Sequence, residues 1–121
     1  MDIGDDDRFA RGIARFNERE FEEASELFEE LLLEAVYGET ELARALLQFA
    51  AGAHHIERGQ RRVAIERIDE GLVALAKVED ARGVEVEMLR ESVVEFVRWI
   101  ETPRSTSPVP WPKIGRAAPA S

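Results

Sequence analysis

The 121-residue chain has no cysteine. No disulfide staple can form, and a chain of this length, able to bury roughly two-thirds of its unfolded surface, does not need one. The absence fits a reducing compartment. Proline is missing before Pro103 and then occurs five times before the end. Everything ahead of residue 102 is therefore free to be helix, and little after it is. Long apolar runs are also lacking: no stretch approaches the roughly 18 residues of a membrane span. The opening Met1-Asp2-Ile3-Gly4-Asp5-Asp6-Asp7 has neither the basic start nor the apolar run of a signal peptide. Together these point to a cytoplasmic protein. Lysine is scarce, with only Lys77 and Lys113 among 16 basic residues. A salt-adapted proteome and GC-rich coding explain that scarcity equally well.

The formal net charge is −9. A surface of that sign repels phosphate backbones and anionic lipid heads, which argues against nucleic acid and membrane as partners. Apolar residues make up 45% of the chain and charged residues 34%, enough for one core and a well-solvated surface.

Five helical segments are legible from the spacing of apolar residues and the placement of glycine. The first runs from about 6 to 18, with Phe9, Gly12, Ile13 and Phe16 on one face and the Asp5-Asp6-Asp7 run to cap its start. The second covers about 20 to 36, with Phe21, Ala24, Phe28, Leu31, Leu32 and Ala35 inward; Gly38 ends it. Thr40 is the expected cap of a third segment reaching about Arg58. That segment is apolar nearly all round, as a central helix should be, and Gly59 closes it. A fourth covers about 60 to 78, with Val63, Ala64, Ile68, Gly71, Leu72 and Leu75 inward, and Gly83 breaks the chain. A fifth runs from about 84 to 101 with Val86, Leu89, Val93, Phe96, Val97 and Ile100 on one side. Strand-like alternation is confined to Val84-Glu85-Val86, too short to count.

The expected architecture is an all-α, compact bundle of about five helices arranged as antiparallel hairpins. It divides into a helical domain over 1–101 and a Pro/Ser/Ala-rich tail over 102–121. The default reading of that tail is disorder. Pro110-Trp111-Pro112-Lys113-Ile114 stands apart, because a Trp between prolines can dock in extended form.

The first two hairpins repeat at an offset of 40 residues. Gly12 corresponds to Gly52, Phe16 to Ile56, Arg19 to Gly59, Ala24 to Ala64, Phe28 to Ile68 and Leu31 to Gly71. The small residue in the first helix of each pair lets the second approach, and Phe28 or Ile68 fills the space beside it. The stretch from Gly12 to Leu31 resembles the tetratricopeptide hairpin, though only two repeats are visible, which favours a compact bundle over a solenoid.

A broader resemblance runs from about Phe9 to Leu75. Arg15-Phe16-Asn17, Phe21-Glu22-Glu23-Ala24-Ser25-Glu26, Phe28-Glu29, Leu47-Gln48 and Ala53-His54-His55-Ile56-Glu57-Arg58-Gly59-Gln60 resemble the family called domain of unknown function 309. Asn17, Glu26, Glu29, Gln48, His55 and Gly59 follow its pattern. Ser25 stands where that family usually has His, and Phe28 and Leu32 where it often has Trp. The resemblance implies a helical fold and no particular reaction.

On the second helix Ser25, Glu26 and Glu29 share a face. On the third, Gln48, Gly52 and His55 do too. Were these faces to meet, Glu26, Glu29, Gln48 and His55 would form a ligand-binding pocket able to hold a divalent metal or to position a water with Glu as base. The plainer reading is a solvated acidic face beside a Gln and a His that satisfy each other or the backbone. His54 points about 100° away from His55 and cannot serve that pocket. Asn17 is expected to make a cap or turn bond. Two functions follow. One is a non-catalytic binding or scaffold module, partnered by itself as a dimer or by another protein, with Phe21, Phe28 and Trp99 as its surface. The other is a metal-assisted hydrolase or small-ligand binder centred on Glu26, Glu29, Gln48 and His55. No particular cofactor or metal is implied by either.

Overall fold

A computed structural model describes residues 2–103 and 106–117. After a short 3-10 turn at Ile3–Asp5 come five helices: α1 (Asp7–Asn17), α2 (Phe21–Glu34), α3 (Thr40–Glu57), α4 (Arg61–Ala76) and α5 (Val86–Glu101). No strand is present among the described residues. The main packing is between helices consecutive in the chain, α1 on α2, α2 on α3, α3 on α4, and more lightly α4 on α5. The central place expected of the apolar third helix is thus the one it takes, between α2 and α4.

The two hairpins close in the same way. Each first helix ends in a left-handed residue, Arg19 at φ 65° and Gly59 at φ 74°. Each turn carries the paired bonds of a Schellman motif. Arg19 N–H donates to Phe16 O and Gly59 N–H to Ile56 O, both at 3.0 Å; Glu20 N–H reaches Arg15 O and Gln60 N–H reaches His55 O, both at 2.8 Å. The close approach foreseen at the glycines is also there. A Cβ built on Gly12 would lie 2.6 Å from Phe28 Cε1, and one on Gly52 would lie 2.6 Å from Ile68 Cγ1.

Phe9, Phe16, Phe21, Phe28, Phe49 and Phe96 are fully buried and anchor one continuous core. Phe21 and Phe28, expected at an interaction surface, are therefore core residues. They are the largest apolar groups on the inward stripe of α2, and leaving them in water would forfeit roughly 2–3 kcal/mol each. Val63, expected inward, is exposed, because the buried line of α4 runs through Ala64, Ile68, Gly71, Ala74 and Leu75. Thr40 is the first residue of α3 and does not cap it. Glu39 holds the cap position, and its carboxylate makes no cap hydrogen bond to the helix. That carboxylate, only 1% exposed, accepts from Ile3 N–H (2.8 Å) and Val36 N–H (3.3 Å) and lies 3.4 Å from Arg82 Nη2. It ties the chain start, the α2–α3 turn and the loop before α5 to one point.

The expectation of a disordered tail is not met over 106–117. Trp111 lies between Phe21 and Phe96, with both ring centroids at 5.4 Å, and Ile114 is buried. The short alternation at Val84 also has a partner: Val84 and Arg116 form an antiparallel bridge. Arg104, Ser105 and residues 118–121 of the expected tail lie outside the described residues.

Candidate functional site

The four residues singled out for a pocket have separate surroundings. Glu26 and Glu29 lie on the outer face of α2, exposed and without a hydrogen bond or ion pair among the described residues. Gln48, on α3, donates through Nε2 to Glu70 Oε2 of α4 at 2.9 Å. His55 Nδ1 lies 2.6 Å from Gln60 Oε1 across the α3–α4 turn.

The repeat explains the His55 contact. Forty residues earlier the same two positions hold Arg15 and Glu20, and Arg15 Nη1 donates to Glu20 Oε2 at 3.1 Å. In each hairpin, then, a side chain in the last turn of the first helix clasps one just past the left-handed residue. His55 and Gln60 form a turn clasp where the first hairpin uses an Arg–Glu ion pair. The histidine that does share a cleft with the acidic start of α2 is His54, beside Glu22, Glu23 and Glu57. Its Nδ1 is 3.9 Å from Glu57 Oε1. No group of three or more His, Cys, Asp or Glu side chains suited to a metal occurs among the described residues.

Two surface features carry more chemistry. The first is the outer face of α2 and the turn after it. Glu22, Glu26, Glu29 and Glu30 are exposed there without a counter-ion among the described residues. The face ends in Leu33 (81% exposed), Val36 (52%) and a fully exposed Tyr37. Tyr37 borders a shallow hollow with Thr40, Glu41, Lys77 and Glu79.

The second is the groove filled by the tail, formed by the α1–α2 turn, α5 and the residues just before α5. Asn17 reads the main chain of Ile114 twice: its Nδ2 donates to Ile114 O at 2.8 Å, and its Oδ1 accepts from Ile114 N–H at 2.8 Å. Lys113 N–H donates to Ser92 Oγ (2.9 Å), and Lys113 Nζ donates to Asn17 O (2.6 Å), at the carbonyl-rich end of α1. The Arg19 guanidinium lies 4.6 Å from the centre of the Trp111 ring. Further on, Glu85 N–H donates to Gly115 O (2.8 Å) and Ala117 N–H to Gly83 O (2.7 Å). Asn17 was expected to act locally; its partner lies 97 residues away. Trp99, expected on the surface, is half-buried and donates Nε1–H to Ser107 O at 3.1 Å. One sequence signal does mark this groove. The repeat breaks where the tail docks, with Asn17, Arg19 and Phe21 facing Glu57, Gly59 and Arg61 at the offset of 40.

Fold and surface together define a small all-helical protein made of two like hairpins and a fifth helix. Residues 9–66, just under half of the chain, match the family model described as Domain of unknown function (DUF309), the family that the Asn17 and His55 segments resemble. No curated protein and no solved structure matches the chain. No helix among the described residues is long and apolar enough to cross a membrane.

Proposed function

We propose that this protein is a non-catalytic binding module that docks a partner protein on the outer face of α2 and the turn beyond it. The observation that carries the reading is the exposure of Leu33, Val36 and Tyr37 at the end of an acidic face whose Glu22, Glu26, Glu29 and Glu30 have no counter-ion among the described residues. Three large apolar side chains left in water within five residues suit an anchor that a partner covers. The surrounding carboxylates, Glu26 and Glu29 among them, favour a partner with an apolar centre and a basic rim.

The test is capture of partners from the native cell extract, followed by calorimetry with the purified partner. The variants are L33E/Y37S and E26K/E29K, all at exposed positions. Each pair is expected to weaken binding by about tenfold or more, and added salt should weaken the wild-type complex. A partner that binds both variant pairs as tightly as the wild type would place the docking face elsewhere.

A further inference from the structure

The tail groove supports a second and independent conclusion. Its contacts to residues 109–117 go largely to the main chain, at Lys113 N–H, Ile114 N–H and O, Gly115 O and Ala117 N–H. An extended peptide is recognised in this way by a sheet edge or an amide clamp. Side-chain selection comes from the Phe21–Phe96 slot for Trp111 and the buried seat of Ile114.

The receptor side carries a mark of having been built for this ligand. Arg19 sits at φ 65°, where its counterpart Gly59 adopts φ 74° freely. A side chain with a Cβ costs about 1–2 kcal/mol in that region. Nothing in the turn itself calls for arginine, since the second hairpin closes through the same backbone bonds with glycine. What arginine adds is the guanidinium over Trp111. Charge agrees as well. All 25 acidic residues lie at or before Glu101, whereas residues 109–117 carry Lys113 and Arg116 and no acid.

We propose that the α1–α2 turn, α5 and residues 83–85 form a receptor for an extended Trp-Pro-basic-aliphatic segment, and that this receptor, filled in the structure by the chain's own residues 109–117, also takes those residues from a second copy of the chain when its own segment is not seated. Apart from the Trp99 bond to Ser107 O, every tail contact described lies between 109–117 and the body. The same set forms whichever copy supplies the segment, as in an exchanged dimer. Docking in cis and docking in trans then differ mainly in chain concentration.

Complementation between two full-length variants tests this. W111A removes the anchor of the segment and leaves the receptor whole. N17A/R19G disables the receptor, leaves the segment whole and gives the turn the glycine its counterpart already has. Each alone is expected to sediment as a single chain. Mixed in equal amounts at submillimolar concentration, they are expected to give a species of twice that mass, which a synthetic Val109–Ala117 peptide dissociates. A mixture that stays at the mass of one chain, while both variants keep the wild-type helical spectrum, overturns the proposal. If W111A loses helicity, K113E, at an exposed position, takes its place under the same criterion. The α2 face plays no part in this experiment, so the two readings stand or fall separately.

Discussion

Asp6 shows how much one carboxylate can fix. Its Oδ1 accepts from Arg8 N–H at 2.8 Å, capping α1, while both its oxygens take the Arg8 guanidinium, at 3.0 Å from Nε and 2.8 Å from Nη2. Arg8 also pairs with Glu34 at the end of α2. The Arg8 side-chain bonds are the main reason the Asp6 carboxyl is held down to about 2, against an ordinary 3.8. Glu34 is lowered by the same guanidinium. A carboxyl lowered on folding contributes stability above its unfolded value and loses it as pH falls through the folded one. D6N keeps an oxygen for the cap but not the charge. We expect it to be less stable than wild type by about 1 kcal/mol near neutrality. The gap should close as pH falls from about 4 to about 2. Urea denaturation across that range measures it. This residue was readable in the sequence, because an Asp run before an apolar helix face is a local signal. Asn17 was not, since its partner is remote and its type alone suggests a turn.

At the scale of the element, the repeat predicts the most. Gly12 and Gly52 each stand where a second helix crosses. Ordinarily Gly→Ala inside a helix gains about 1 kcal/mol. Here the added Cβ of G52A would meet Ile68 Cγ1 at 2.6 Å and the Ala64 carbonyl oxygen at 3.2 Å. Backbone cannot swing aside, so overpacking of about 1–3 kcal/mol outweighs the helix gain. G12A meets the rigid Phe28 ring, with contacts of 2.6, 3.0 and 3.0 Å. Both variants are expected to unfold at lower urea than wild type, whereas alanine at the helix-surface position Arg62, 94% exposed, should not. The helices themselves were legible because apolar spacing and Gly38, Gly59 and Gly83 agree. Thr40 and Val63 misled for local reasons. Threonine is a good cap by type, yet Glu39 was drawn into the junction with Ile3 and Arg82. Valine is apolar by type, yet it lies one position off the buried line of α4.

For the molecule as a whole, the sequence left the tail and the site most open. Composition favours disorder in a Pro/Ser/Ala segment, and only the Trp111 neighbourhood argued otherwise. Trp111 docks because Phe21 and Phe96, far apart in the chain, build one slot. The pocket of Glu26, Glu29, Gln48 and His55 rested on two faces meeting. Each face has the composition expected, but Gln48 turns to Glu70 and His55 to Gln60. Helical periodicity says which residues share a stripe. It says less about which stripe lies opposite.

The absence of proline before Pro103 has a kinetic consequence. The helices pack mainly on their neighbours in the chain, a topology that forms in microseconds to milliseconds. Residues 7–101 contain no proline to delay them. Pro108, Pro110 and Pro112 are all trans when the segment is seated, yet about 10–30% of each X–Pro bond is cis in the unfolded chain. Refolding should therefore proceed on two clocks. Far-UV ellipticity should return at once. A fraction of the tryptophan fluorescence should lag by tens of seconds and speed up when a prolyl isomerase is added. During that interval the helices stand complete with the Trp111 slot vacant, which is when a segment from another chain can enter it first.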